Sequence, residues 1–406
     1  SVQDCMVAWA RRCIRLCARC RMFSCCEATG AADAEMPGPP SGDALPLAQT
    51  LNPLGLHLLQ LLSRSHPDKD VVVSPLAVKA VLSMVAAGAT KNSDSEKELL
   101  KVIGDAAPPR PNPAVELATS AWVRMLIRDD YIDVVKRVYG AGAFPLAGPD
   151  PAPINNWVKD QTHGRIAELF PQPLDPLTVM VLVSTVFFKG AWAETFDEKR
   201  TRDGRFRPFT GKPIDCKMMR QLKKDMLYAE TRELQMVRLP YSSGGLSALI
   251  MLPTREGPDG LREAMGSCAP VVWDQLSGAL EPANVELSLP RFKVEFGGSL
   301  NESLEALGMP TPFKGEASGA FLRMSKDPLV HLDLVMHRAT IEVNEEGTVA
   351  AAAAGAVMKT RCLPPPAVPM VVDRPFLFFV TDESGAIFFA AKVLAPTLSG
   401  LEAKLK

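Results

Sequence analysis

The sequence predicts an α+β domain, and three observations carry that reading. Helical patterns fill the first part of the chain and strand patterns the later part, without the βαβ alternation of a parallel α/β fold. Of the 406 residues, 47% are hydrophobic and 22% charged, enough apolar material for a large core. The most apolar runs, such as Phe376-Leu377-Phe378-Phe379-Val380, have strand length, and none reaches the length of a bilayer span.

Taken in order, residues 54–62 are apolar with helical spacing, and Val71-Val72-Val73 is a short β-branched strand. Ser74-Pro75 reads as a helix start, serine capping the first turn and proline preset within it. The helix then covers residues 76–87 and stops near Gly88. Pro108, Pro109, Pro111 and Pro113 exclude a long helix over residues 102–114. A strand is expected over 115–123, and helices over 132–139 and 155–169. From residue 179 strands dominate, at 179–188, 226–230, 235–239, 246–252, 285–296 and 332–343, with helices at 261–265 and 300–307. Two final strands are expected at 376–381 and 386–393.

The segment from Glu345 to Leu363 stands out. It joins an acid-ended strand, Gly347, a tract of small residues and the basic pair Lys359 and Arg361, before Pro364-Pro365-Pro366. In a strand every second side chain shares a face, so Thr348, Ala350, Ala352, Ala354 and Ala356 line up, and none is bulky or charged. Such a segment can enter between two strands without overpacking the layer beneath. Five consecutive alanines also suit a short helix or a low-complexity linker. Composition alone favours that blander alternative.

Catalytic signatures are missing: the chain has no H-E-x-x-H, G-x-S-x-G or phosphate-binding loop. The five histidines show no metal-ligand spacing with cysteines, so neither metal nor cofactor is expected and the chain reads as a non-enzyme. A net charge of −1 gives no general pull toward nucleic acid or membrane. Six of nine cysteines lie in the first 26 residues, beside Arg11, Arg12, Arg15, Arg19 and Arg21. Cys216, Cys268 and Cys362 alone remain in the body, too sparse for a disulfide framework. Residues 1–48 read as an arm and a flexible linker, with metal binding, an organelle leader and a lipidated tether as alternatives for the arm.

Over roughly residues 50–396 the chain resembles the serpins, serine protease inhibitors that work by loop insertion. The resemblance rests on Val73-Ser74-Pro75-Leu76, Ile154-Asn155-Asn156-Trp157-Val158, Phe187-Phe188-Lys189-Gly190-Ala191-Trp192, Leu287-Ser288-Leu289-Pro290-Arg291-Phe292, Arg374-Pro375-Phe376-Leu377-Phe378 and Ile387-Phe388-Phe389-Ala390-Ala391-Lys392-Val393, in family order. It implies a single domain over 49–398 with three β-sheets, about eight or nine helices and an exposed reactive loop at 346–366. It implies a hinge at Glu345, Gly347, Thr348, Ala350, Ala352 and Ala354. The family register from Gly347 places the reactive bond at Arg361–Cys362, bait for trypsin-like enzymes. Ser74, Ser184, His337, Trp192 and Arg291 fall in the region where the sheet opens. Ser184 stands where the family commonly has asparagine, and Ala77 where it has serine, which puts the control of insertion in question. An Arg291–Glu345 ion pair is expected, with a low-value surface pair as its alternative.

The resemblance implies a covalent complex with a trypsin-like serine protease and a metastable monomer. It carries no nucleic-acid partner and no membrane span. A non-inhibitory binding, storage or chaperone protein is the alternative; the small hinge residues argue against it. Arg200, Arg202, Arg205 and Arg207 raise glycosaminoglycan binding, but interleaved Asp197, Glu198 and Asp203 favour a solvated face. Arg-Cys at the reactive bond resembles intracellular members and leans toward a cytoplasmic site, with Cys362 a redox-sensitive residue or a loop cysteine without a role. The sequon Asn301-Glu302-Ser303 leans toward secretion.

Overall fold

The computed structural model describes residues 46–110, 112–315, 319–348 and 366–396. In chain order these form α1 (Leu47–Ser65), β1 (Val71–Val73), α2 (Pro75–Gly88), α3 (Asp94–Ile103), β2 (Val115–Val123), α4 (Asp129–Tyr139), β3 (Gly142–Pro145), α5 (Ala152–Gln161), β4 (Met180–Phe188) and β5 (Gly190–Ala191). The strands β6 (Arg202–Phe206), β7 (Ile214–Glu230), β8 (Leu234–Pro240) and β9 (Leu246–Pro253) precede α6 (Gly257–Ser267) and α7 (Pro270–Gly278). There follow β10 (Glu281–Pro290), β11 (Phe292–Ser299), α8 (Asn301–Ala306), β12 (Leu334–Val343), β13 (Gly347–Thr348), β14 (Val368–Val371), β15 (Phe376–Asp382) and β16 (Ile387–Val393). Eight α-helices and three sheets among the described residues match the expected α+β class.

The largest sheet has nine strands in the order β1-β16-β15-β9-β8-β7-β10-β14, with β6 beside β7. The second runs β11-β12-β4-β2-β3, and β13 pairs with β5 as a two-stranded ribbon. At the middle of the five-stranded sheet β12 and β4 are parallel neighbours, in register from Leu334–Val181 to Thr340–Phe187. Their outer neighbours β11 and β2 are antiparallel to them.

Helix α2 is buried along all its residues, which its nearly unbroken apolar sequence permits. Ser74 caps it, the hydroxyl accepting from Ala77 N at 3.3 Å. The main core joins α1 and α2 to both large sheets and includes the fully buried rings of Phe376, Phe378, Phe379 and Phe389. Truncating one such ring to alanine costs about 3–5 kcal/mol, a large part of ordinary domain stability. A second cluster lies on the other face of the five-stranded sheet, where Ile154 and Val158 of α5 cover Val181 and Val183.

Several boundaries differ from expectation. Helix α1 begins at Leu47, inside the stretch read as linker. Helix α5 ends at Gln161 rather than 169, because His163 and Gly164 take left-handed backbone conformations, φ 51° and 76°. The predicted strand 285–296 is two strands in different sheets, β10 and β11, divided at Arg291. Helix α3 escaped the reading, although Ser93 and Glu96 have the spacing of a capping box. The Ser93 hydroxyl accepts from Glu96 N, and the Glu96 carboxylate accepts from Asn92 N.

Candidate functional site

Beyond β12 the chain turns at Asn344. Asn344 N donates to Gly347 O at 2.9 Å, Gly347 N returns a bond to Asn344 O at 3.2 Å, and the Asn344 side chain accepts from Glu346 N at 3.0 Å. Asparagine at the first position and glycine at the fourth suit such a turn. Gly347 then sits at φ +142°, where a Cβ would overlap the Gly190 carbonyl oxygen and lie 2.6 Å from the Ala191 Cα. That close approach lets Gly347 and Thr348 pair antiparallel with Ala191 and Gly190, directly beyond the end of β4.

Glu345 anchors the turn. Its side chain is only 4% exposed, and the Arg291 Nε lies 2.8 and 2.7 Å from its two oxygens. Thr201 donates its hydroxyl to Glu345 at 2.6 Å. Burial pushes the Glu345 carboxyl up, but the bonds from Arg291 and Thr201 pull harder and hold it below the usual carboxylate range. The surface-pair alternative therefore fails. Removing Arg291 would strand a buried carboxylate, a loss on the scale of about 3–5 kcal/mol rather than the fraction of one expected at a surface. The break between β10 and β11 falls at Arg291, which meets Glu345 there.

Trp192 holds the same turn from the other side. Its indole N–H donates to Asn344 O at 3.0 Å, and its backbone N–H donates to Glu346 O at 2.9 Å. The indole stacks on Tyr241, centroids 4.5 Å apart and planes within 10°. The Tyr241 hydroxyl is 3.1 Å from that of Thr348, which is fully buried. Thr348 is thus held in place by Tyr241. Tyr241, Thr201 and Asn344 went unnoticed in the sequence. The Asn-x-x-Gly turn could have flagged Asn344; nothing local marks the other two.

Ser74, Ser184 and His337 meet beneath the β4–β12 seam. Ser74 N donates to His337 Nε2 at 3.2 Å, the Ser74 hydroxyl donates to Phe388 O at 2.7 Å, and Ser184 Oγ stands 3.4 Å from His337 Nδ1. His337 is fully buried, and burial alone lowers its pKa to about 3. An unfolded histidine titrates near 6.5, so between these values the unfolded chain binds more protons, and stability rises with pH and is lost as the pH falls. The expected result is a denaturation midpoint that declines from about pH 6.5 toward pH 3, with a shallower decline in His337→Gln. Parallel pH profiles for the two proteins would reject this assignment.

Ala350, Ala352, Ala354, Arg361 and Cys362 lie outside the described residues, which stop at Thr348 and resume at Pro366. The returning chain enters β14, parallel to β10. In the basic strip, Arg207 pairs with Glu256 and Asp373, each at 2.8 Å, and Arg205 stands 3.8 Å from Asp215. The Asn301 amide of the sequon donates to Asp333 O at 2.6 Å and accepts from Val335 N, tying α8 to β12. Among the described residues no group of acids, histidines and cysteines is placed to hold a metal, and no helix is long and apolar enough to cross a membrane.

The family model for serpins (serine protease inhibitors) matches residues 49–396, nearly the whole of this architecture and its hinge. The chain belongs to the serpin family. Iripin-2 of Ixodes ricinus is 32% identical over 379 residues, covering 86% of this chain and 93% of that protein. Leukocyte elastase inhibitor A of Mus musculus is 31% identical over 386 residues, covering 87% of this chain and all of its own length. Native protease nexin-1, solved with heparin, superposes with a TM-score of 0.73 at 26% identity, covering 86% of this chain and 99% of that one. Human thyroxine-binding globulin superposes at 0.75 with 22% identity, covering 87% and 100%, a likeness of fold alone. An exposed reactive loop and a metastable fold are general features of serpins, and the family acts on proteases by inhibiting them.

Proposed function

We propose that this serpin is a suicide-substrate inhibitor of trypsin-like serine proteases, cleaved at Arg361–Cys362. One observation supports the reading above others. The hinge pair Gly347–Thr348 is aligned antiparallel beside the top of β4, the direction a strand needs to enter between the parallel neighbours β4 and β12. An arginine side chain suits the acidic specificity pocket of such proteases. The protease serine attacks the Arg361 carbonyl and forms an acyl-enzyme, releasing the new amino terminus at Cys362. The freed loop then adds to the sheet as a central strand, a recognised case of strand addition in this family. The attached enzyme is carried along and distorted. Deacylation needs an intact oxyanion hole and triad, so the ester persists.

The domain reading belongs to the same proposal, with its first boundary moved to the start of α1 at Leu47: an arm before it, one domain from there to 398 acting as a monomer, and the loop at 346–366 within it. Glycosaminoglycan binding has less behind it. Protease nexin-1 was solved with heparin, and here Arg200, Arg202 and Arg220 line a notch of about 230 Å³ that Glu286 also enters.

Incubation with trypsin followed by denaturing electrophoresis tests the reading. A detergent-stable complex and a released peptide beginning at Cys362 are expected. Arg361→Ala is expected to lower the trypsin inhibition rate by at least about 100-fold, the scale of one lost charged contact, with the melting temperature unchanged. A peptide beginning at Thr360 would move the bond to Lys359. Cleavage without any complex would favour the non-inhibitory alternative.

A further inference from the structure

The parallel neighbours β4 and β12 pair from Thr340–Phe187 at the hinge end to Leu334–Val181 at the foot. One residue beyond that last pair, a side chain continues the ladder. Asp333 Oδ2 accepts from Val179 N at 2.7 Å and from Met180 N at 2.9 Å, and Asp333 N donates to Met180 O at 3.1 Å. Asp333 thus takes both the N–H and the C=O that Met180 presents to the β12 side. Hydrogen bonds to an ionised acceptor are about twice as strong as neutral ones, so this single residue holds the foot of the seam firmly.

The carboxylate is aimed by its surroundings. Its other oxygen stands 3.2 Å from His331 Nε2, and His331 Nδ1 lies 2.8 Å from Leu329 O. The Asn301 side chain brackets the Asp333 backbone, donating to Asp333 O and accepting from Val335 N. Val179 O accepts from Arg124 N at 2.8 Å, which fixes the start of β4 to the β2 side. The Asp333 side chain is 27% exposed.

The hinge register shows what else would need these groups. Gly347 pairs with Ala191 and Thr348 with Gly190. In an antiparallel pair one strand counts up as the other counts down. The same register carried down β4 without a bulge sets Met358 opposite Met180. Directly opposed residues of a hydrogen-bonded pair exchange both N–H and C=O bonds. Met358 of an inserted strand would therefore take from Met180 the two groups that Asp333 holds. Met358 lies just ahead of Lys359, Thr360 and the Arg361 bond, so the competition falls on the last rungs of insertion.

We propose that Asp333 is a clamp specific to the uncut state, a positioning residue that full entry of the loop must displace. This assignment rests on loop insertion, the reading proposed above. With the clamp shut, a strand can zip from Thr348 to about Ala356; the rungs at Met358 and beyond wait for Asp333 to release Met180. Asp333 stabilises the protein only while the loop is out, so it opposes strand addition at the end of the seam farthest from the hinge.

The test compares melting of the full chain before and after a single loop cut, in the native protein, Asp333→Ala and Asp333→Asn. Asp333→Ala is expected to lower the melting temperature of the uncut protein by about 5 °C, the scale of two bonds to a charged acceptor. It is expected to leave the cut protein within about 1 °C of native, because there the inserted strand satisfies Met180. Asp333→Asn keeps an oxygen acceptor without the charge and is expected to shift the uncut protein about half as far, a measurement that stands even if the alanine variant does not fold. Hydrogen exchange gives a local readout. The Met180 amide of the uncut protein is expected to exchange about tenfold faster in either variant, and at the native rate once the loop is cut. Equal lowering of the cut and uncut proteins would make Asp333 an ordinary structural residue and overturn the clamp. Unmoved melting and unmoved Met180 exchange in the uncut variants would overturn it too. A native protein that gains no stability on cutting would reject insertion itself, and the clamp with it; a native gain beside parallel losses in the variants rejects the clamp alone.

Discussion

Thr348→Arg is expected to turn the protein from an inhibitor into a substrate. Thr348 is fully buried, and its hydroxyl meets Tyr241, which stacks on Trp192. An arginine there has no room and no acid within the pairing that Gly347 and Thr348 make with β5. Burying a charge without a partner costs several kcal/mol, so the hinge leaves its seat instead. Insertion then loses its first rung, while the bond after Arg361 stays accessible. Trypsin should still release the peptide beginning at Cys362, but the fraction trapped should fall by about 100-fold or more, as about 3 kcal/mol of lost seating implies. Thr348→Ser keeps the hydroxyl and should keep trapping. Ala350→Pro, outside the described residues, should act like the arginine variant because proline removes a ladder donor from a central strand. Undiminished complex with both Thr348→Arg and Ala350→Pro would sink the insertion mechanism for this chain.

The second large effect is on stability. The uncut protein should melt at an ordinary temperature, about 45–65 °C. A single cut in the loop should raise that by something on the order of 20 °C. Strand addition converts the parallel β4–β12 seam into two antiparallel ladders. With each bond worth about 1 kcal/mol net, some ten bonds give a gain of roughly 10 kcal/mol, and a chain of this size gains about 2 °C per kcal/mol. Scanning calorimetry before and after limited cleavage measures the difference without needing the physiological protease. Equal melting temperatures would mean that no strand is added, and the non-inhibitory alternative would replace the proposal.

Much of the fold was legible because its signals are local. Ser74 capping α2, proline in the first turn, the alternation of β2 and the aromatic runs of β15 and β16 each depend on residues a few positions apart. Glycine explains one boundary that the pattern missed: apolar spacing continues to Leu169, but left-handed His163 and Gly164 end α5. The strands β10 and β11 mislead for the opposite reason. Their apolar positions pass from Val285, Leu287 and Leu289 to Phe292, Val294 and Phe296, a change of phase at Pro290-Arg291 that marks a break, but periodicity carries no information about which sheet each strand joins.

The candidate site divides along the same line. The sequence by itself determined that the segment after Glu345 is small, uncharged and able to enter a sheet, because those are properties of side chains in order. It also marked Trp192, Arg291 and His337, through motifs that resemble a family. Only the tertiary structure decided that Glu345 is a buried anchor, that Thr348 is already seated on Tyr241, and that Gly347 has no room for a Cβ. Those facts depend on groups brought together from β5, β6, β8 and β11, far apart along the chain. No local pattern encodes such approaches: Thr201 and Glu345, bonded at 2.6 Å, lie 144 residues apart in the chain.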